Sequence, residues 1–97
     1  MKAVLISFYQ AFYNEMMEVL DQLEIRGFTY WPEVQGRGSV DGEPHYGTHA
    51  WPTLNAAILT FIPDEKVTPL LDAVRKLDES APQQGLRAFV LKAEEVL

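Results

Sequence analysis

Two histidines, His45 and His49, stand four residues apart in a chain of 97 residues, with Asp41 and Glu43 just ahead of them. Imidazole nitrogen beside carboxylate oxygen is the donor set of Zn²⁺, Cu²⁺ and Ni²⁺ sites, so Glu43, His45 and His49 are candidate ligands for a divalent metal. The plainer alternative is a pair of imidazoles solvated in a polar loop. Upstream lies Gly36-Arg37-Gly38. Its glycines permit close backbone approach to an anion, and Arg37 could pair with phosphate or carboxylate, although a strand-end turn would need the same glycines for its dihedrals. Trp31 and Trp51 bracket the segment. Tryptophan suits an interface where an apolar body meets a polar edge, and would equally serve to fill the base of a loop. Nucleophilic catalysis lacks its parts: there is no cysteine, and among the serine and threonine hydroxyls only Thr48 neighbours a histidine, His49. The expectation is a protein that is not an enzyme.

All these groups fall in the stretch WPEVQGRGSVDGEPHYGTHAW, residues 31–51, which holds four of the six glycines, both histidines, both tryptophans and almost no aliphatic side chain. Such a segment cannot supply a core, so it reads as a long loop of about residues 36–52. Loops beyond roughly a dozen residues without structure of their own are usually functional or disordered. Mobility from about Gly38 to Ala50 in the absence of ligand is expected, because ordering each residue costs roughly 1–2 kcal/mol of backbone entropy.

What carries the loop must be small. Ninety-seven residues, 47% hydrophobic and 23% charged, fit one domain with little surplus surface to hide. A formal charge of −6 repels phosphate backbones, which excludes nucleic acid as the natural partner. The apolar runs fall far short of the ~20 residues that span a bilayer, and the N-terminus has no basic region followed by a long apolar run and a cleavage site. A cytoplasmic protein, not embedded in a membrane, is expected.

The nearly continuous apolar run MKAVLISFY predicts a first strand over residues 1–9. From Asn14 the period changes: Met16, Val19, Leu20 and Leu23 share one face of a helix over about 14–26, with Asn14 as its cap and Gly27 as its left-handed stop. Phe28, Tyr30, Pro32 and Val34 alternate as a second strand, and Pro32 assigns it to an edge. LNAAILTFI, residues 54–62, gives a third strand. A turn at 63–66 leads into a second helix over about 67–79, with Val67, Leu70, Leu71, Val74 and Leu77 as its stripe. SAPQQG is a linker, and LRAFVL, residues 86–91, a fourth strand. The order β-α-β-loop-β-α-β predicts a ferredoxin-like α+β fold: a four-stranded antiparallel sheet with two helices on one face. The other face would be left bare although its strands are apolar, so association through the sheet is expected.

Three stretches then carry a family resemblance: NEMMEVLDQLEIRGFT followed by EVQGRG, then FIPDEKVTPLLDAV, then QQGLRAFVLKAEEV. Almost the whole chain resembles, in order, the P-II-like signal-transduction proteins. The first stretch looks like the family's first helix and the start of its long T-loop, the second like its third strand and second helix, and the third like the end of its B-loop and the strand after it. The resemblance implies a homotrimer whose intersubunit clefts bind ATP or ADP in many members, and a T-loop that docks on a transporter, enzyme or regulator. It also implies ligand-binding roles for Gly85 and Arg87 beside Gly36, Arg37 and Gly38, and makes Tyr46 the loose counterpart of the tyrosine that some members have modified. Partner contact is assigned to Trp31, Tyr46 and Trp51. The chain departs from the pattern where the B-loop is shortened to APQQGLR and where it ends in KAEEVL rather than a basic motif, so the expectation is weak or absent nucleotide binding. The alternatives are a trimeric metal-binding or metal-tolerance protein using the histidine loop and, third, a dimeric α+β barrel enzyme.

Overall fold

A computed structural model describes residues 1–97. Strand β1 (Lys2–Tyr9) passes through one turn of 3₁₀ helix (Gln10–Phe12) into helix α1 (Tyr13–Gln22), and β2 (Phe28–Val34) follows. After the loop come β3 (Asn55–Ile62), a second 3₁₀ turn (Asp64–Lys66), α2 (Val67–Ser80), a third (Pro82–Gln84) and β4 (Arg87–Lys92). The sheet is antiparallel throughout in the order β2-β3-β1-β4, the ferredoxin-like arrangement that the order of elements predicts. Pro32 interrupts the pairing of the edge strand β2, whose register shifts between Trp31 and Val34.

Strand periodicity decides which side is core. Val4, Ile6 and Phe8 of β1 and Ala56, Ile58 and Ile62 of β3 point to one face, where they are buried with Met16 and Leu20 of α1 and Leu70 and Val74 of α2. Thr60 shares that face without penalty because its hydroxyl donates to the carbonyl of Gly27 at 2.6 Å. The alternate positions form rows on the opposite, helix-free face. One row is Thr29, Leu59, Leu5 and Phe89; the next sets Phe61, Ala3 and Leu91 side by side. Phe61, Phe89 and Leu91 are each about half exposed there.

Helix α1 differs from its expected ends. Asn14 does not cap it: the 3₁₀ turn leads directly into Tyr13, and no side chain caps the first turn. Nor does Gly27 stop it. Glu24 takes the left-handed conformation at φ 56°, its amide bonds the carbonyl of Asp21, and the amide of Ile25 reaches back to Leu20. This double closure fits a Schellman motif, in which the apolar residue after the left-handed one packs against the helix. Ile25, 4% exposed, plays that part, so core packing rather than glycine ends the helix.

Candidate functional site

The loop is more structured than its composition suggests. Gly36 and His45 exchange both backbone hydrogen bonds, at 3.0 and 2.8 Å, and Tyr46 bridges to Leu54, so the chain returns alongside its own outbound arm. Two turns remain outside this ladder. Ser39–Gly42 closes one, through the Gly42 amide and the Ser39 carbonyl. In the other, the Thr48 amide bonds the Trp51 carbonyl while the Trp51 amide bonds the Thr48 hydroxyl. The expected structureless segment is therefore a strap with two turned lobes.

The outbound arm crosses to β4. A Cβ on Gly38 would collide with the backbone of Gly85, which itself sits at φ 68°, so two glycines are needed where these backbones touch. Arg87 fastens the contact, its Nε donating to the Gly38 carbonyl at 2.8 Å. Thus Gly38, Gly85 and Arg87 do meet. Arg37 turns aside: its guanidinium lies 6.0 Å from the Tyr46 ring centre, in cation-π range, and reaches the Val40 carbonyl only at 3.5 Å. Gly36 serves the strap, since a Cβ there would come within 3.0 Å of Asn55 Nδ2. Beside Arg87 opens a polar hollow of about 390 Å³ lined by Ser39, Asp41, Glu43, Asp78 and Gln83. Across Asp78 and Arg87 a second hollow of about 280 Å³ has an apolar floor of Leu71, Val74, Leu86 and Ala88.

The return arm is fastened by His45, which is 1% exposed. Its Nδ1 lies 2.6 Å from Asn55 Oδ1, and Asn55 Nδ2 donates to Ser7 Oγ at 3.4 Å. The Tyr9 ring packs against the imidazole at 5.6 Å between centres. Nε2 is buried and meets no protein donor or acceptor. This placement corrects the metal expectation for a single subunit. His45 is turned into the sheet, His49 is exposed on the second turn, and no three of the candidate donors Glu43, His45, His49 and their neighbours converge. The imidazole of His45 missed its expected solvent because its partners, Ser7 and Asn55, belong to two other strands. Of the expected partner contacts, Trp31 and Trp51 are 42% and 41% exposed, and Tyr46 is half-buried under Arg37.

No family model and no curated protein matches this sequence. Solved structures do. CPII, a nitrogen regulatory PII-like protein from Thiomonas intermedia K12 bound to ADP, AMP and bicarbonate, is 22% identical; the match covers 93% of this chain and 82% of that one, with a TM-score of 0.75. The apo form of CPII matches with 20% identity over 93% and 85% of the two chains, at a TM-score of 0.70. The chain therefore has the PII-like fold, and its strap occupies the stretch between the second and third strands. No helix is long and apolar enough to cross a membrane.

Proposed function

We propose that the chain is a PII-like regulatory protein, not an enzyme, that assembles as a homotrimer through its helix-free sheet face. It takes a small effector in the cleft beside Gly38, Gly85 and Arg87, and it presents the turns of the strap, with Trp31 and Trp51, to a protein partner such as a transporter or regulator. The observation that carries this reading is the bare apolar face. A small domain with Leu5, Leu59, Phe61, Phe89 and Leu91 turned away from both helices gains most by burying them against copies of itself. The shared fold with CPII supports it, since CPII is a nitrogen regulatory PII-like protein.

CPII also binds ADP, AMP and bicarbonate. In the present chain the polar hollow sets Asp41, Glu43 and Asp78 against one guanidinium, Arg87, which already spends its Nε on Gly38. A polyphosphate gains roughly 1.5–3 kcal/mol from each charge-assisted hydrogen bond it finds, and few donors are on offer here. Nucleotide affinity in the millimolar range is expected. The experiment is light scattering for mass, then calorimetry with ATP, ADP and AMP, with and without bicarbonate. A mass near three times 11.0 kDa supports the assembly, and a monomer at micromolar concentration overturns it. A dissociation constant of about 10 μM or tighter, some 3 kcal/mol below the millimolar expectation, would show that other groups hold the phosphates.

A further inference from the structure

We propose that the hollow between α2 and β4 binds a free amino acid with a branched aliphatic side chain. Leu71, Val74, Arg75 and Asp78 recur at helical spacing along one side of α2. Opposite them, Ala88 of β4 pairs with the core residue Ile6 and so faces the helices, and Leu86, two residues earlier, is buried in the core. Leu71, Val74, Leu86 and Ala88 thus give a hollow of about 280 Å³ an apolar floor, and Arg75, Asp78 and Arg87 complete its lining. An apolar cavity of about 150 Å³ admits benzene, so the hollow has room for a molecule the size of leucine.

The charges decide the class of ligand. Asp78 is half-buried and enters neither ion pair of the chain. Arg75 gives one N–H to Asp72 at 3.0 Å and Arg87 gives its Nε to the Gly38 carbonyl, which leaves most of both guanidinium forks free. A fatty carboxylate would find the guanidiniums but face Asp78, and an alkylamine would find Asp78 but face the guanidiniums. A zwitterion meets both: its carboxylate accepts from Arg75 and Arg87, its ammonium donates to Asp78, and its aliphatic side chain lies on the floor. Its overall neutrality matters as well, because a chain of formal charge −6 repels anions at a distance and leaves a zwitterion unopposed. The polar hollow that also borders Arg87 has no apolar lining and offers such a side chain no seat. The whole lining comes from one subunit, so this site rests neither on the trimer nor on the strap's partner.

The test is calorimetry on the full chain with L-leucine, beside probes that each lack one feature: glycine without the side chain, isocaproate without the ammonium, and isoamylamine without the carboxylate. L-Leucine is expected to bind with a dissociation constant of about 5 mM or tighter, and each probe on the order of tenfold more weakly or worse. Arg75→Gln, which otherwise breaks only the exposed pair with Asp72, should weaken leucine by on the order of tenfold, and Ala88→Leu, which fills the floor, should abolish its binding. If Ala88→Leu fails to fold, the wild-type protein decides: on titration with leucine the amide resonances of residues 71–78 and 86–88 must shift while those of α1 stay in place. A weaker leucine constant overturns the proposal. So does any one of the probes binding as tightly as leucine, or leucine binding that is unchanged in Arg75→Gln or persists in Ala88→Leu.

Discussion

Substituting Phe89 by glutamate should dissociate the assembly while sparing the subunit. Phe89 lies on β4 opposite Leu5, on the face without helices, and is 54% exposed in the isolated subunit. An aromatic side chain offers 150–250 Å², so about 100 Å² of Phe89 is left for a neighbour to cover. At roughly 25 cal/mol per Å² that surface contributes about 2.5 kcal/mol per subunit, and about 7.5 kcal/mol over three copies. Glutamate forfeits this and adds a carboxylate whose desolvation costs several kcal/mol at each site. Phe89 is not among the side chains packed against the core between sheet and helices, so the secondary structure should persist. Ile6→Glu, by contrast, would place the charge among α1, α2 and β3 and unfold the chain. Light scattering of the wild type should give about three times 11.0 kDa and of Phe89→Glu the single mass, with matching circular dichroism. The wild-type melting temperature should rise with protein concentration and that of the variant should not. A variant that keeps the wild-type mass and melt refutes the reasoning, and a wild-type dimer would instead favour two sheets packed face to face.

Glu24→Gly should stabilise the fold by about 0.5–1 kcal/mol, because the left-handed φ of 56° costs a residue with a Cβ and costs glycine little; a thermal melt a few degrees higher checks it. Gly38→Ala should destabilise by about 1–3 kcal/mol, since its Cβ meets the Gly85 backbone, while Gly36→Ala meets only the end of the Asn55 side chain and should cost less. Denaturant midpoints of the two variants compare them. Tyr30 has its phenol pushed above the ordinary tyrosine value, first by burial and then by the neighbouring Tyr13 ring. The folded state therefore favours the neutral phenol, a contribution complete below about pH 10 and lost as pH rises past it. Tyr30→Phe should flatten the alkaline limb of the stability curve.

The strands were legible because apolar runs of eight residues leave few other choices, and β1 and β3 differ from expectation by one residue at most. The helix-free apolar face was legible too, since both alternations of β1 are apolar. What composition hid is long-range. Gly27 looked like the helix stop, but the stop is set by where Ile25 must be buried, and no residue type announces a left-handed glutamate. His45 looked solvated among polar neighbours, while its seat is formed by Asn55, ten residues on, and by Ser7, reached through Asn55 across 48 residues. Gly38 and Gly85 were each visible as glycines with a purpose. That the purpose is contact with one another follows only once β4 lies beside β1.

The strap has two fastenings of unlike chemistry, and they share a short segment of backbone. Gly38 is held to Gly85 and Arg87 at the end of β4; Gly36, two residues earlier, is held to His45, whose ring is seated on β3 and β1. A molecule entering beside Arg87 competes for the guanidinium or parts the two glycines, and either event moves a backbone whose next anchor is the His45 pairing. Close-packed contacts of this kind resist small adjustments and change by breaking. An effector that favours the parted arrangement therefore also favours release of the return arm, by as much as its affinity for the two arrangements differs. The turns carrying Val40 and Trp51 lie between and beside these fastenings, so parting either one would change how both turns are presented.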